Sequence, residues 1–265
     1  MKRLFDVLAA AAGLLLLSPL LLLVAAAIWL EDRGSPFYRA PRMARGGGRF
    51  QMLKFRSMVV GADRAGINST AATDRRITRV GRYVRAFKLD EFAQLWNVLK
   101  GDMSLVGPRP QVEQDALLYT PDEQLMLTVR PGITDLASIV FADEGEILRG
   151  SSDPDLLYDQ IIRPWKSRLA LLYIARRTFF LDLRVIGLTG LSFLSRRRAL
   201  DSIRVLLLRW HADPLLLRMA SRQEPLLAWP PPGATVIVAS AQAGTTSSAA
   251  AAPDAAVFAG PGAPG

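Results

Sequence analysis

The stretch VLAAAAGLLLLSPLLLLVAAAIWL, from Val7 to Leu30, is the part of the sequence that decides the fold. It contains 24 residues and no charged side chain. A helix rises about 1.5 Å per residue, so this length reaches across the ~30 Å hydrocarbon core of a bilayer. Buried helices of soluble domains seldom have such length and uniformity. The apolar core of a cleaved signal peptide usually has about 7–15 residues and is shorter than this stretch. A signal peptide stays an alternative because of the Ala25-Ala26-Ala27 run.

A proline at the centre of this stretch predicts an interrupted helix. Pro19 removes one backbone donor and clashes with the preceding turn, and the Ser18 hydroxyl can bond a carbonyl that the break frees. Basic residues flank both sides: Lys2 and Arg3 precede the stretch, and Arg33, Arg39, Arg42, Arg45 and Arg49 follow it. Because positive flanks favour the cytoplasm, we predict a re-entrant helical hairpin at residues 1–32, a monotopic anchor. An ordinary kinked span is the alternative.

The charge of the chain is concentrated next to this apolar stretch. The whole sequence has 33 Lys+Arg against 24 Asp+Glu, a formal net charge of +9. Between Arg33 and Lys88 there are 14 basic and two acidic residues, so this block alone carries +12 and the rest of the chain −3. A basic balance suggests nucleic acid, lipid headgroups or phosphorylated small molecules as partners, and the position of the block directly after the apolar stretch narrows this choice.

The residue types that are scarce limit the available chemistry. The sequence has no cysteine and a single histidine, His211. Disulfides, thiolate nucleophiles and cysteine-ligated metal sites are therefore excluded, and a lone histidine argues against His-dependent triads and multi-histidine metal sites. Any catalysis has to come from carboxylates, Lys and Arg side chains, hydroxyls or the backbone.

Short strands and amphipathic helices follow the anchor. Phe37–Arg39 and Phe50–Phe55 are β-like, and the Gly-rich stretch Arg45–Arg49 between them predicts a hairpin with a basic tip. Small polar residues at 61–73 predict a loop. Apolar side chains at positions 89, 92, 95, 96 and 99 recur with helical spacing and predict an amphipathic helix over Leu89–Leu99. The sequence thus predicts an α+β fold that is mainly helical, with a small β-hairpin.

Two adjacent acids, Asp90 and Glu91, open this predicted helix. Taken alone, they are best explained by a favourable interaction with the helix dipole. Their context suggests more, since Arg85 lies just upstream and Arg109 follows in the sequence GPRP. A carboxylate kept ionised among cations can attack phosphorus, and arginines can hold phosphate oxygens. Carboxylate oxygens are also suitable ligands for Mg²⁺, which is commonly coordinated by protein carboxylates and substrate phosphates together.

Four stretches of the chain form a recognisable set. They are KRLFDVLAAAAGLLLLSPLLLL near the start, KFRSM (Lys54–Met58), DRRITRVGRYVRAFKLDEFAQLWNVLKGDMSLVGPRP (Asp74–Pro110) and RPGIT (Arg130–Thr134). Together they resemble the bacterial sugar transferases, the monotopic polyprenyl-phosphate phosphoglycosyl transferases. The resemblance covers roughly residues 2 to 190, and its run DE…NVLKGDMSLVGPRP is highly specific.

This resemblance implies an enzyme that moves a phosphosugar from a nucleotide sugar, usually a UDP-sugar, to polyprenyl phosphate. The products are polyprenyl-diphosphate-sugar and UMP, Mg²⁺ is the cofactor, and the reaction initiates a bacterial surface glycan such as an exopolysaccharide or O-antigen. It also implies a location on the cytoplasmic face of the bacterial inner membrane. The implied partners are the two substrates and membrane lipid, rather than nucleic acid, and a homodimer is left open.

The resemblance also assigns roles to particular residues. Asp90 becomes the nucleophile that forms a covalent phosphosugar intermediate, and it also lies near Mg²⁺ as a metal ligand; Glu91 is its dyad partner. The implied substrate-binding residues are Arg85, Arg109, Lys54, Arg56 and Arg130. The pair Ser18-Pro19 matches the helix-break-helix motif of the family's membrane anchor.

The chain departs from the family's pattern at two places. Family members commonly read SLDELPQL where this chain reads KLDEFAQL, which leaves the acidic dyad intact. Their RPGIT motif is usually followed by glycine, whereas here Asp135 follows. We expect this second departure to alter a turn on the sugar-binding side, so the sugar is not assigned by analogy.

The C-terminal part of the sequence is helical before its composition changes. Pro164–Leu194 combines aromatic and basic residues as interfacial helices do, with packing on the domain as the alternative. Ile203–Met219 is amphipathic and broken near Pro214, and the Ala/Gly/Pro/Ser/Thr-rich sequence from Trp229 onward predicts a disordered tail. The predicted division is an anchor at 1–32, a catalytic domain at 33–195, a basic amphipathic helical extension at 196–228 and a tail at 229–265.

Two other functions stay open on the sequence. A membrane-anchored basic protein that binds nucleic acid or lipid without chemistry would account for the +12 block. It would not account for Asp90-Glu91 close to Arg109, nor for the central Ser18-Pro19. An inactive member of the family is the third hypothesis, because of Asp135 and the unusual tail.

Overall fold

A computed structural model describes residues 1–62 and 74–239, and its architecture is mainly helical with two small sheets. This confirms the predicted fold class. The first element is the long apolar helix α1, Lys2–Asp32, which is long and apolar enough to cross a membrane by length and composition. It runs unbroken through Pro19, and the Ser18 hydroxyl donates to the Leu15 carbonyl at 2.7 Å. The predicted hairpin within the anchor therefore stays a prediction.

The β-hairpin after α1 is confirmed, with longer strands than the sequence predicted. Strands β1 (Phe37–Met43) and β2 (Arg49–Phe55) pair antiparallel, so that Phe37 lies opposite Phe55. The tip is a short 3₁₀ turn in which Gly46 and Gly47 have φ near +80°, a backbone conformation that favours residues without a Cβ. Of the predicted loop at 61–73, residues 63–73 lie outside the described part of the chain.

The segment that carries the acidic pair differs from the predicted α-helix. Helix α2 (Arg79–Ala86) is capped by Thr78, a 3₁₀ helix follows at Leu89–Gln94, and only then does helix α3 begin (Leu95–Lys100). A 3₁₀ helix has about three residues per turn instead of 3.6, so it rotates the side chains that follow. Trp96, one of the apolar positions of the predicted amphipathic helix, is 53% exposed, whereas Val98 is buried.

A two-stranded parallel sheet joins two of the sequence motifs. Strand β3 (Ser104–Val106) pairs with β4 (Gly132–Thr134), and the chains pass so closely that a Cβ on Gly132 would lie 2.1 Å from the Gly107 nitrogen. Glycine is therefore required at this crossing. The sheet holds the loop after β3, with the sequence GPRP, next to the RPGIT segment.

The remaining helices build the main core. Their bounds are α4 Glu113–Leu117, α5 Pro121–Gln124, α6 Leu136–Val140, α7 Glu144–Ile147, α8 Pro154–Ile161, α9 Arg163–Arg176, α10 Phe179–Leu194, α11 Arg196–Arg209 and α12 Pro214–Ser221, with a 3₁₀ helix at Leu125–Thr128. Trp165 of α9 and Leu136 of α6 are fully buried in this core. Two smaller apolar clusters lie between α1, the hairpin and α3.

Both ends of α1 are bonded to the rest of the chain. At its start, Lys2 forms an ion pair of 2.6 Å with Asp182 of α10, and Asp6 accepts a hydrogen bond from the Ser104 hydroxyl. At its end, Asp32 pairs with Arg56, which follows β2. Between these points, a stripe of side chains along α1 is buried, including Ala10, Val24 and Ile28. The helix is therefore fixed to one domain along its whole length.

The C-terminal helices are part of the core and not an appended extension. Ile203 and Leu207 of α11 and Met219 of α12 are fully buried in the main cluster. The chain then continues as an ordered segment beyond the predicted boundary at Trp229, whose N–H donates to the Gln160 carbonyl. The predicted disorder is thus corrected for residues 229–239, and residues 240–265 of the predicted tail lie outside the described part.

Replacing one core side chain of α11 tests whether this helix belongs to the domain. We expect Leu207→Ala to lower the free energy of unfolding by about 2–5 kcal/mol, because it removes buried methyl groups and leaves a cavity. The matched control is Leu208→Ala, whose side chain is 47% exposed and whose cost should stay under about 1 kcal/mol. Denaturant titration in detergent measures both. Equal losses in the two variants would show that α11 does not contribute to the core.

Candidate active site

The acidic pair lies in the wall of a cavity of about 550 Å³. Lys88 adopts the left-handed conformation, with φ of 53°, and turns the chain sharply from α2 into the 3₁₀ helix that carries Asp90 and Glu91. Both acids line the cavity, and Asp90 is only 8% exposed. The turn at Lys88 therefore places two adjacent carboxylates in a concave, largely desolvated site.

Two cations from distant parts of the sequence meet these acids. Arg109, in the loop after β3, donates from Nη2 to Glu91 Oε1 at 2.5 Å. Lys54 of β2 places its Nζ 3.8 Å from Asp90 Oδ2. Glu91 is thus tightly paired, whereas Asp90 has a looser ionic contact that leaves its carboxylate available to a ligand.

Burial and neighbouring charges shift the two acids in opposite directions. Burial raises the pKa of Asp90; Lys54 opposes this shift and Glu91 adds to it. Burial also works to raise the pKa of Glu91, but Arg109, Lys54 and Lys88 outweigh it and lower that pKa to about 2. Glu91 is therefore a permanent anion that holds Arg109, and Asp90 is the more basic carboxylate of the pair.

Lys54 is shifted as well. Burial lowers its pKa to about 8, and Arg109 acts in the same direction, while Asp90 and Glu91 oppose the shift. The pKa of Arg109 is raised, chiefly by Glu91. Arg109 therefore stays charged, whereas Lys54 loses its proton near pH 8.

The cavity is lined by both cations and acids, and its acids are Asp90, Glu91, Asp115, Asp143, Glu144 and Glu146. Its lining cations are Arg42, Lys54, Arg82, Arg85, Lys88, Arg109 and Lys166. Arginine holds phosphate oxygens through two parallel N–H donors, and lysine acts as a point charge. Seven cations against six acids leave the cavity with a small positive excess, which fits an anionic ligand such as a phosphate.

The residues proposed from the sequence divide into two groups by position. Asp90, Glu91, Lys54, Arg85 and Arg109 come together around this cavity. Arg56 lies elsewhere, where it is 7% exposed and bonded to Asp32 and to the Ser35 carbonyl. Arg130 donates to the Gly101 carbonyl and lines a separate cavity of about 340 Å³ beside the start of α1.

Three further residues of the cavity wall were missed by the sequence reasoning. Glu144, at the start of α7, pairs with Lys166 of α9, and the Lys166 ammonium lies 5.2 Å from the centre of the Tyr158 ring of α8. No spacing rule connects residues that come from three short helices. The one available signal was the acidic run DEGE, which ordinary surface helices also show.

The departure at Asp135 has a local structural role. Its side chain caps α6, since the Ser138 N–H donates to Asp135 Oδ1 at 2.6 Å. The backbone of Asp135 is extended, with φ of −157°, a conformation that any residue adopts. An aspartate here therefore stabilises the first turn of α6 without backbone strain.

The donor set of the site fits a magnesium ion that is shared with a substrate. Among the described residues, no group of three or more His, Cys, Asp or Glu side chains is arranged to hold a metal ion alone. Mg²⁺ commonly uses one or two carboxylates and completes its shell with water and substrate phosphates. Asp90 supplies such a carboxylate, with Glu91 beside it.

Comparisons with known proteins give the proteins to which this chain is similar. A family model described as bacterial sugar transferase matches residues 1–196. The chain is 40% identical over 195 residues to the undecaprenyl-phosphate glucose phosphotransferase of Komagataeibacter xylinus, covering 71% of this chain and 35% of that protein. It is 41% identical over 172 residues to the UDP-glucose:undecaprenyl-phosphate glucose-1-phosphate transferase of Caulobacter vibrioides, covering 62% and 64%.

A third relative is shorter. The exopolysaccharide production protein ExoY of Rhizobium meliloti is 42% identical over 153 residues, which cover 52% of this chain and 68% of that protein. The chain thus spans between about one third and two thirds of the lengths of these relatives.

The charge network makes a prediction about Lys54 that does not depend on any activity. Because Asp90 raises the pKa of Lys54, we expect Asp90→Asn to move that pKa below 8. Arg109 lowers it, so Arg109→Gln should move it above 8. NMR titration of the labelled lysine side chain measures both shifts. An unchanged Lys54 pKa in the two variants would contradict the contacts described here.

Proposed function

We propose the following activity for this chain, which belongs to the bacterial sugar transferase family, since the model of that family matches residues 1–196. The chain transfers a phosphosugar from a UDP-sugar to polyprenyl phosphate, giving polyprenyl-diphosphate-sugar and UMP, and so begins a bacterial surface glycan. The names of its relatives support both substrates. The observation that carries the proposal is the buried carboxylate of Asp90, more basic than its neighbour and set in a cation-lined cavity.

Asp90 is the nucleophile in the first half of the reaction. One of its carboxylate oxygens attacks the phosphorus that bears the sugar, the bond to the bridging oxygen breaks, and UMP leaves with that oxygen. An aspartyl-phosphosugar results. A raised pKa makes Asp90 a better nucleophile, while Lys54 and Arg85 in the same cavity attract the phosphate oxygens.

The second half of the reaction returns the enzyme to its starting state. A phosphate oxygen of the polyprenyl phosphate attacks the same phosphorus, the bond to Asp90 breaks, and the diphosphate-linked sugar leaves on its lipid. The phosphate nucleophile is already an anion, so no general base is required. This order of events makes ping-pong kinetics the expected pattern.

Glu91 and Arg109 act together as a charged support. The low pKa of Glu91 keeps it ionised throughout, so it holds the Arg109 guanidinium at the cavity through a bond of 2.5 Å. The guanidinium has further N–H groups that can donate to a phosphate. Glu91 therefore orients the cation and has no role as a proton donor.

Magnesium completes the proposed site, with Asp90 as its protein ligand and Glu91 next to it. When bound, the ion would neutralise the negative charge that develops on the phosphate leaving with UMP. The arginines and lysines that line the cavity would supply the rest of the positive charge.

The anchor is monotopic in this proposal and both its flanks lie on the cytoplasmic face. A straight helix of 31 residues would be about 46 Å long, enough to place its ends on opposite sides of a membrane. However, Lys2 at one end and Asp32 at the other bond to the same domain. These contacts join both ends of α1 to one domain, and they support an anchor whose two ends stay on the same face of the membrane.

The membrane-facing surface extends from α1 onto α10. On α1, Leu15 and Leu16 are about 80% exposed; on α10, Phe180 is equally exposed. The Phe5 and Phe179 rings pack 5.4 Å apart and hold the starts of the two helices together. Exposed apolar side chains on two adjoining helices are typical of a membrane contact, and they support membrane lipid as a partner.

Removing the proposed nucleophile tests the activity. We expect Asp90→Asn to reduce UMP release by at least about 10³-fold, because an amide cannot form the intermediate. The assay offers polyprenyl phosphate, Mg²⁺ and a panel of UDP-sugars, and it also identifies the sugar. Glu113→Gln, a partly exposed carboxylate paired with Arg49, is the control and should keep wild-type rates. Near-normal turnover in Asp90→Asn would reject the assignment of the nucleophile.

Single cysteines test the path of the anchor, since the chain contains no native cysteine. One is inserted directly after Met1 and the other replaces Arg39. For a re-entrant anchor, a membrane-impermeant maleimide should label both in inside-out vesicles and neither in right-side-out vesicles. Labelling of the two positions from opposite sides would establish a crossing helix.

A further inference from the structure

The wall of the cavity that carries Glu144 has an unused hydrogen-bond acceptor. Glu144 Oε2 accepts a hydrogen bond from Lys166. Within the part of the chain that the structure describes, Glu144 Oε1 receives no hydrogen bond, although the side chain lines the cavity and is only 33% exposed. Nothing in the proposed phosphoryl transfer uses this carboxylate.

Glu144 is kept as an anion by its surroundings. Burial works to raise its pKa, but Lys166, Arg109 and Lys88 outweigh this effect and lower the pKa below the ordinary value. An ionised carboxylate only accepts hydrogen bonds. A partner of Oε1 must therefore be a hydrogen-bond donor or a cation, and a phosphate, which is itself an anion, is a poor partner. Lys166 already supplies a cation to this carboxylate, so a neutral donor is the partner that is missing.

The segment that bears Glu144 is fixed from behind. The neighbouring Asp143 forms ion pairs with Arg196 at 2.6 Å and with Arg222 at 3.0 Å. Arg222 also lies over the Phe141 ring, 5.7 Å from its centre. Lys166 holds the Glu144 side chain itself. The acceptor is therefore held in place before any ligand arrives, which is what selective recognition requires.

We infer that Glu144 Oε1 accepts a hydrogen bond from a hydroxyl group of the nucleotide-sugar donor, and that Glu144 is a specificity-determining residue. This inference rests on the proposed function. A UDP-sugar offers hydroxyl donors on its hexose and on its ribose, and no other neutral donors in comparable number. Glu144 and the Asp90 dyad line the same cavity, so one donor molecule can reach both.

Deoxy analogues of the donor test this contact on a single enzyme preparation. For each analogue, the discrimination is the kcat/KM of the parent donor divided by that of the analogue. Loss of the hydroxyl that Glu144 binds should cost the wild-type enzyme about 10- to 100-fold, because a charge-assisted hydrogen bond is lost and the carboxylate is left without its donor. In Glu144→Ala this ratio should fall to within about 3-fold, since the acceptor is then absent.

The control is the next acid of the same helix. Both Glu146 oxygens are engaged by Arg149, at 2.8 and 2.7 Å, so this carboxylate has no free acceptor. Glu146→Ala should keep the wild-type ratio for every analogue. Because each ratio compares two substrates on one preparation, partial misfolding of a variant cancels. Glu144→Gln, which retains one acceptor and the size of the side chain, should show an intermediate ratio.

The position of the sensitive hydroxyl identifies the contact. If a hexose deoxy analogue loses kcat/KM in a way that depends on Glu144, this residue lies at the transferred sugar. If a ribose deoxy analogue does so, Glu144 lies at the nucleotide. Either result supports the inference. If none of the analogues gives a ratio that depends on Glu144, and Asp90→Asn is inactive as predicted, the inference about Glu144 is overturned. An Asp90→Asn enzyme that still releases UMP would instead overturn the proposed function.

Discussion

The ion pair between Arg109 and Glu91 is the interaction on which the site depends. It joins the 3₁₀ helix of the acidic dyad to the loop after β3, two segments that meet only in the folded chain. The close crossing of Gly107 and Gly132 fixes that loop at its base. Without the pair, two adjacent carboxylates would repel each other in a buried site, and the pKa of each would rise. Arg109 allows both carboxylates to occupy one wall.

Much of this arrangement could be predicted from the sequence. The long apolar run without charges predicted the helix α1, and the Gly-rich turn between β-like stretches predicted the hairpin. The short spacing of Arg85, Asp90 and Glu91 predicted that these three side chains share a site, and they line one cavity. These features are local, because each depends on residues within a few turns of one another. Local signals survive in a sequence without knowledge of the tertiary contacts.

The remaining features depend on tertiary packing and could not be predicted in this way. Trp96 faces outward because the preceding 3₁₀ turn changes the helical phase. Arg56 is engaged by Asp32 of the anchor, a partner 24 positions earlier that no motif indicates. Lys166 reaches Glu144 across 22 residues. The segment after Trp229 reads as low-complexity sequence, yet its backbone finds partners on α8.

The buried stripe along α1 has a consequence for how the molecule can be handled. Ala10 shares an apolar cluster with Met52 and Val98, and Ile28 shares another with Phe55. The helix is thus a wall of the domain as well as its candidate membrane segment. Cutting it away would open both clusters to water, and a generic tether would not close them again. A soluble enzyme made by truncation would therefore aggregate, and the helix and domain have to be produced as a unit.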